Sequence, residues 1–281
     1  MLKRTSFLAL ACMLMATMAC PAKAAVVVKG SDTILPLSQK EAEVFMEKDK
    51  KASITVIGGG SGVGLAGLID GTCDIAQSSR PISTKETRQA KQKGVNVVET
   101  TIGKDALTVI VHPSNPVTQL TMQQIGDIFT GKITNWKAVG GPDKAIVVYS
   151  RESSSGTYTF FREHVLQNKE YTAGALLAPA TGAIVQSVSQ TDGAIGYIGM
   201  AYLTDQVKAL EVAGAPGQPF VKATPATALD GSYPIARALY YYTNGNPKGA
   251  AKAFVDFVLS PEGQKLIQDV GYVPLKPVPQ S

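Results

Sequence analysis

Short apolar runs alternate with amphipathic stretches along the first third of the chain. Residues 26–29 and 54–57 are rich in β-branched residues and predict strands, and a third strand is predicted over residues 74–77. Helical spacing of apolar positions follows the first strand, and a small-residue helix over residues 65–70 follows the second. Repetition of strand, loop and helix predicts an α/β fold with mostly parallel strands.

The second part of the chain continues this pattern. Residues 105–112 (DALTVIVH) predict a longer apolar strand, and residues 147–149, 194–198 and 236–242 predict further strands. Residues 211–234 are rich in Pro, Gly, Ala and Thr, which is typical of an irregular crossover.

Capping signals mark where several helices begin. Ser83 with Glu86 and Thr121 with Gln124 each form the spacing of a capping box. Ser260 followed by proline predicts the start of the last helix.

The first residues have the pattern of an export signal. Lys3 and Arg4 form a basic start, and residues 7–19 are apolar but too short to span a membrane. The A-x-A pattern at residues 22–24 predicts cleavage there, so we expect a signal peptide over residues 1–24 and a periplasmic protein. Lipid anchoring at Cys20 is the alternative, although the residues before this cysteine (TMA) lack the usual leucine of a lipobox.

Composition indicates a globular protein held by its core. Of the 281 residues, 44% are hydrophobic and 17% are charged, which suits a large core. The formal charge of +5 falls to +2 without the predicted signal peptide, because that peptide carries three basic residues and no acidic one. This small charge gives little support to a nucleic-acid partner. Cys73 is then the single cysteine, so no internal disulfide is expected.

Four loops at the predicted strand ends share one chemistry. They are residues 30–33 (GSDT), 58–62 (GGGSG), 78–81 (SSRP) and 151–157 (RESSSGT). Each places glycine or hydroxyl residues just before a helix, where free N–H groups and the helix dipole favour anions. Since ligands of open α/β sheets collect at the carboxyl ends of strands, the loops predict one shared anion site.

Other chemistries fit the sequence poorly. Residues 62–67 match G-x-G-x-x-G, but the next predicted strand ends in serine rather than in the acid that a dinucleotide fold needs. Ser61 and Ser155 lie outside any G-x-S-x-G elbow, and His112 and His164 are the only histidines. We therefore expect no catalytic residues, no metal and no cofactor.

Several segments resemble a known family when taken in order. They are GSDTILPL, GGGSGVGLAGLIDGTCDIAQSSRPI, QIGDIFTGKITNW, SRESSSGT and SPEGQKLIQDVGYVPL. Together they resemble the periplasmic phosphate-binding proteins of bacterial phosphate ABC transporters, in the shorter subfamily. The resemblance implies a two-lobed fold of the type II-like periplasmic binding protein class, with the ligand in the cleft between the lobes. It further implies a monomer that delivers inorganic phosphate to a membrane ABC permease, without nucleic acid.

The resemblance also implies a set of ligand-binding residues. They are Thr33, the backbone of Ile34, Ser61, Ser79, Arg80, Arg151, Ser155, Gly156 and Thr157. Ser79 stands where the best-known members have an aspartate that accepts the proton of hydrogen phosphate. Asp32, Glu152 or a backbone carbonyl are the remaining candidates for that acceptor. Arg80 either adds charge to the site or pairs with a surface acid.

From the pattern and the resemblance we expect two lobes, one interrupted by the other. The first lobe is expected to comprise residues 25–105 plus 232–281, and the second residues 106–231. Because an aspartate is missing at position 79, another tetrahedral oxyanion (sulfate, tungstate or molybdate) is the alternative ligand. A phosphatase or a serine hydrolase is the alternative of a different class.

Overall fold

The structure is a computed structural model, which describes residues 25–276. The predicted signal peptide and the alternative anchor at Cys20 lie outside the described residues. The strands are β1 (Val26–Gly30), β2 (Ile54–Ile57), β3 (Ile75–Ser78), β4 (Val97–Val111), β5 (Gln119–Thr121), β6 (Val147–Arg151), β7 (Leu176–Ala178), β8 (Ala194–Gly199), β9 (Lys208–Ala209), β10 (Glu211–Ala213) and β11 (Ala236–Asn244). The α-helices are α1 (Leu35–Lys48), α2 (Ser61–Ile69), α3 (Thr84–Gln92), α4 (Met122–Phe129), α5 (Gly156–His164), α6 (Thr181–Gln190), α7 (Pro225–Leu229), α8 (Gly249–Leu259) and α9 (Pro261–Asp269). None of the helices within residues 25–276 combines the length and the apolar character that a membrane crossing requires.

One long sheet runs through both halves of the described chain. Its strand order is β2-β1-β3-β11-β4-β8-β6-β7, with β9 also paired to β4, while β5 and β10 form a separate pair. We call the half that contains β1, β2, β3 and β11 the first lobe, and the half that contains β6, β7 and β8 the second lobe. Pairing is parallel within β2-β1-β3 and within β8-β6-β7. The sheet departs from the mostly parallel order in its middle, where β11 and β4 run antiparallel to their neighbours.

Strand β4 is common to both lobes. It pairs with β11 up to Ala106 and with β8 from Leu107 onward. The amide of Leu107 also donates to the carbonyl of Ile235, 2.8 Å away, just before β11. The predicted lobe bounds, 25–105 plus 232–281 and 106–231, are compatible with this change of partners and stay a prediction.

Each lobe has its own apolar core. In the first lobe, Val28, Leu37 and Phe254 are fully buried together. In the second lobe, Phe161 of α5 stacks on Tyr197 of β8 with ring centroids 4.0 Å apart. Separate cores allow the lobes to act as distinct bodies that meet along the loops at their strand ends.

The three helix starts that were predicted from capping signals are confirmed. Ser83 and Thr121 each form a capping box, and Ser260 accepts from the amide of Gly263 at the start of α9. These signals are local, so the sequence specifies them without reference to the rest of the fold.

Three segments differ from the sequence expectation. Strand β4 begins at Val97 rather than at residue 105, because its half-exposed first part pairs with β11 along its whole length. The segment 211–234 contains β10 and α7, the latter opened by a capping box at Thr224. Helix α2 begins at Ser61 rather than at residue 65. Its first turns pack closely on β1, since a Cβ on Gly64 would lie 2.3 Å from the carbonyl oxygen of Lys29.

Candidate functional site

Three loops of the first lobe meet through their serine side chains. The hydroxyl of Ser31 donates to that of Ser79 at 3.0 Å, and the amide of Ser79 donates to the hydroxyl of Ser61 at 3.1 Å. All three residues are at most 1% exposed. The first lobe therefore presents a buried cluster of hydroxyl groups at the carboxyl ends of β1, β2 and β3.

The second lobe contributes the start of helix α5. Ser155 is its N-cap residue, and its hydroxyl oxygen accepts from the amides of Thr157 at 3.2 Å and Tyr158 at 3.4 Å. Because the hydroxyl oxygen of Ser155 accepts hydrogen bonds from these amides, its hydroxyl proton remains available to donate to an anion. The amide of Gly156 is a first-turn N–H that Ser155 does not cap.

The two lobes touch at these loops. The hydroxyl oxygens of Thr33 and Thr157 are 2.7 Å apart, and the amide of Gly62 donates to the carbonyl of Ser154 at 3.0 Å. A Cβ on Gly156 would lie 2.2 Å from the Ser61 hydroxyl oxygen. The conformation is closed, and only glycine at position 156 allows this approach.

Arg151 lies at the end of β6 and its side chain is 2% exposed. Its Nη2 donates to Asp32 Oδ2 at 2.7 Å and to the carbonyl of Pro179 at 2.8 Å. Its Nη1 donates to Thr181 Oγ1 at 2.8 Å, and its Nε to the carbonyl of Ala178 at 3.2 Å. Four of the five guanidinium N–H groups thus have protein acceptors, which leaves one N–H on Nη1 to donate to a ligand.

Arg80 pairs with an acid of its own lobe. Its guanidinium donates to both carboxylate oxygens of Glu86, at 2.8 and 2.7 Å. Burial alone would raise the pKa of Glu86, but hydrogen bonds from Arg80 and Ser83 outweigh it and lower that pKa below its ordinary value. Of the two roles left open by the sequence, the structure places Arg80 in an ion pair at the edge of the serine cluster.

Four helices begin around these residues. Helices α1 and α2 begin in the first lobe, and α5 and α6 in the second. Their N-terminal ends carry partial positive charge that favours an anion. Ile34 is the fully buried N-cap residue of α1, and its amide, expected to bind ligand, donates to the carbonyl of Ser31 at 3.2 Å.

Sequence reasoning missed part of this arrangement. Thr181, at the start of α6, accepts from Arg151, and Tyr202 donates to the carbonyl of Asp32 at 2.6 Å. A signal for Thr181 existed: the segment LLAPATG is a fifth strand–helix joint with a hydroxyl residue. No local signal marks Tyr202, which reaches Asp32 from 170 positions away.

The arrangement offers hydrogen-bond donors and lacks the partners of a nucleophile. His112 contacts Ser114, and His164 contacts the carbonyl of Pro234, so neither ring serves a site serine. Within residues 25–276, no group of three or more His, Cys, Asp or Glu side chains could hold a metal ion. Burial raises the pKa of the Cys73 thiol to about 11, as expected for a packed cysteine.

Comparison with known proteins identifies the superfamily of this chain. The model of the PBP superfamily domain matches residues 18–262. Protein SphX of Synechococcus elongatus is 37% identical over 266 residues, which cover 90% of this chain and 78% of SphX. The phosphate-binding protein PstS of Bacillus subtilis is 34% identical over 256 residues, covering 90% of this chain and 82% of PstS.

Solved structures share the fold. A Clostridium perfringens protein determined with bound phosphate is 37% identical, with a TM-score of 0.83 over 90% of this chain and 100% of that one. An ABC-type phosphate transport receptor from Vibrio cholerae is 28% identical, with a TM-score of 0.73 over 88% and 99% of the two chains. The two-lobed α/β fold expected from the sequence is confirmed, and this chain belongs to the PBP superfamily and, within it, to the family of the PstS and SphX proteins.

Proposed function

We propose that this protein captures inorganic phosphate between its lobes and delivers it to a membrane ABC permease. The observation that carries the proposal is the meeting of buried hydroxyls and helix starts from both lobes around Arg151. Such a set suits a tetrahedral oxyanion, whose oxygens point in four directions and accept hydrogen bonds from each. The relatives whose names state phosphate binding support the choice of ligand.

The proposed ligand-binding groups are directed donors rather than an excess of positive charge. Arg151 is paired with Asp32, and Arg80 with Glu86, so the charges beside the site nearly cancel. A dehydrated anion then depends on amides, hydroxyls and helix dipoles aimed at its oxygens. The proposed donors are Thr33, Ser61, Ser79, Arg151, Ser155, Gly156 and Thr157, with Ile34 and Arg80 in supporting positions.

Exchange of the ligand requires the lobes to separate. Hydroxyl and amide contacts between Thr33 and Thr157 and between Gly62 and Ser154 close the conformation. The lobes are joined through β4 and through the chain that leads into β11, so we propose hinge opening about these two connections.

We also propose that the protein is a periplasmic monomer that catalyses no reaction and binds no nucleic acid. The histidine contacts described above support a role other than that of a serine hydrolase, since neither histidine is bonded to a site serine. We expect that the purified protein does not hydrolyse a chromogenic phosphate ester. Turnover of the ester would contradict a binding role.

Calorimetric titration of residues 25–281 with phosphate and with sulfate tests the proposal. We expect saturable binding of phosphate at one site per chain. If the protein binds sulfate, tungstate or molybdate tightly and does not bind phosphate, its ligand is another tetrahedral oxyanion. Another tetrahedral oxyanion is the second candidate, because Ser79 stands where the best-known members of the family have an aspartate.

A further inference from the structure

The short 3-10 turn Met200–Tyr202 connects two strands of the second lobe but contacts the first lobe. It directly follows β8, which pairs with β6 and with β4 from Leu107 onward. The chain after the turn leads to β9, which pairs with the same part of β4 at Ile110 and Val111. Both ends of the turn are therefore tied to the second lobe, whereas its three residues reach across the boundary.

The first two residues of the turn contact the first lobe close to the connection between the lobes. The amide of Met200 donates to Asp105 Oδ1 at 3.2 Å, and the Asp105 carboxylate is paired with Arg237 of β11. Ala201 packs against the apolar core of the first lobe, and a Cβ on Gly271 would lie 3.5 Å from the Cβ of Ala201. These contacts lie beside the proposed hinge, where opening of the lobes displaces atoms least.

Tyr202 extends farther, into the loops of the candidate site. Its hydroxyl donates to the carbonyl of Asp32 at 2.6 Å, and the amide of Leu35 reaches the same carbonyl at the longer distance of 3.3 Å. The ring of Tyr202 packs against an apolar cluster of the second lobe that includes Ile198 and Val207. The ring is thus anchored in one lobe, and the hydroxyl is bonded to the other.

The carbonyl that Tyr202 contacts belongs to a loop that contributes to the candidate site. Thr33, the next residue of this loop, meets Thr157 of the second lobe. The side chain of Asp32 itself pairs with Arg151. A hydrogen bond to the carbonyl of Asp32 therefore holds this loop, and the groups it carries, against the second lobe.

The hydroxyl of Tyr202 is a neutral donor with a single proton. Burial, and to a smaller extent the charge of Asp32, raises its pKa well above the ordinary value, so the hydroxyl stays protonated at neutral pH. That proton is directed at the carbonyl of Asp32, so none remains to donate to an anion. Tyr202 can therefore act on a bound anion through the position of the loop.

We infer that Tyr202 is a positioning residue for ligand capture, which holds the loop of residues 30–33 against the second lobe in the closed conformation and thereby strengthens retention of the oxyanion without contacting it. The contact is lost when the lobes separate. Its free energy therefore adds to ligand affinity rather than to the stability of the open, unliganded protein. This inference rests on the phosphate-binding function proposed above.

Calorimetric titration with phosphate, together with urea unfolding in the absence of phosphate, separates this role from a merely structural one. Tyr202→Phe removes the hydroxyl and keeps the ring that packs on the second lobe. Tyr149→Phe is the matched control, because Tyr149 packs against the same apolar cluster and its hydroxyl contacts Thr191 at 3.0 Å within the second lobe. Each variant loses one tyrosine hydrogen bond, but only the bond of Tyr202 joins the lobes.

We expect Tyr202→Phe to bind phosphate about 3-fold to 10-fold more weakly than wild type, which corresponds to the loss of one neutral hydrogen bond. Its urea midpoint without phosphate should equal that of wild type, because the contact is absent when the lobes are apart. Tyr149→Phe should keep the wild-type affinity, and the loss of its hydrogen bond should instead lower the urea midpoint.

Three results would overturn the inference. The first is equal phosphate affinity of wild type and Tyr202→Phe, and the second is an equal loss of affinity in Tyr149→Phe. The third is a lower urea midpoint of Tyr202→Phe without phosphate, which would make the hydroxyl a structural group of the unliganded protein. Absence of phosphate binding by wild-type protein would instead refute the proposed function, and the inference with it.

Discussion

The hydroxyl oxygens of Thr33 and Thr157 are 2.7 Å apart although 124 positions separate them in the sequence. Thr33 precedes α1 in the first lobe, and Thr157 lies in the first turn of α5 in the second. Both residues are 1–2% exposed. Contact between two buried hydroxyls at opposing helix starts means that closure of the lobes and assembly of the proposed site are one event.

Replacement of Arg151 by alanine should weaken phosphate binding by about 10-fold or more, on the order of 2–4 kcal/mol. The change removes the buried cation and leaves Asp32 without its partner. Calorimetry against wild type measures the loss. Arg162→Ala is the matched control, since Arg162 lies in the same lobe and pairs with exposed Glu170. Equal affinities of wild type and Arg151→Ala would place the site elsewhere.

Replacement of Gly156 by alanine should prevent closure. The added Cβ would lie 2.2 Å from Ser61 Oγ, across the boundary between the lobes. Because the clash lies between lobes, we expect phosphate affinity to fall by about 10-fold or more while the unfolding temperature of the unliganded protein changes little. Calorimetry and thermal unfolding monitor the two effects.

Gly174→Ala is the control for this variant, because a Cβ at position 174 meets nothing within 4 Å. It should retain wild-type affinity. Full affinity in Gly156→Ala would show that the ligand-bound lobes do not approach as closely as in this structure.

Replacement of Arg80 by methionine should affect stability more than binding. The guanidinium is committed to Glu86 by two hydrogen bonds. Removing one partner of a largely buried pair leaves the other carboxylate uncompensated, so urea unfolding should show a destabilisation of about 1–3 kcal/mol. The loss of phosphate affinity should be smaller than in Arg151→Ala, and an equal or larger loss would return Arg80 to the ligand-binding set.

Glu41 should make stability depend on pH. This residue of α1 is fully buried, and burial raises the pKa of its carboxyl to about 8, opposed by a hydrogen bond from Tyr241. Since the pKa is higher in the folded state than the ordinary value of 4.5, the folded protein binds more protons between these values. The contribution of Glu41 to stability is therefore complete below the ordinary value and is lost as the pH rises through about 8.

Urea unfolding of wild type and Glu41→Gln at about pH 5 and about pH 8.5 tests this dependence. Relative to wild type, the free energy of unfolding of the variant should be higher at about pH 8.5 than at about pH 5, by about 1 kcal/mol or more. Glu47→Gln, an exposed position on the same helix, should show the same difference from wild type at both pH values. A pH-independent effect of Glu41→Gln would mean that Glu41 titrates normally.

Local signals in the sequence predict several loops of the candidate site. The loops that contain Thr33, Ser61 and Ser155 were recognised because glycine and hydroxyl residues before a helix have a local physical meaning. Strand ends could be placed near one another because the α/β pattern sets the direction of most strands.

Long-range partners could not be predicted in this way. Asp32 and Arg151 are 119 positions apart, and no periodicity indicates which acid will meet which base. Arg80 and Glu86 are only six positions apart, so a local argument could predict their pairing. The sequence alone does not decide between this pairing and a role of Arg80 in the ligand site. The early start of β4 was missed because its first residues are half-exposed and become a strand only through β11.

The central position of β11 also has a consequence for the order of folding. This strand lies between β3 and β4, yet it is formed by residues 236–244, close to the C-terminal end of the described chain. During synthesis from the N-terminus, the sheet of β1 to β3 therefore keeps an open edge until almost the whole chain has emerged. The second lobe, whose strands β6 to β8 are close in sequence, can fold earlier, and the first lobe then completes its sheet on the last strand to arrive.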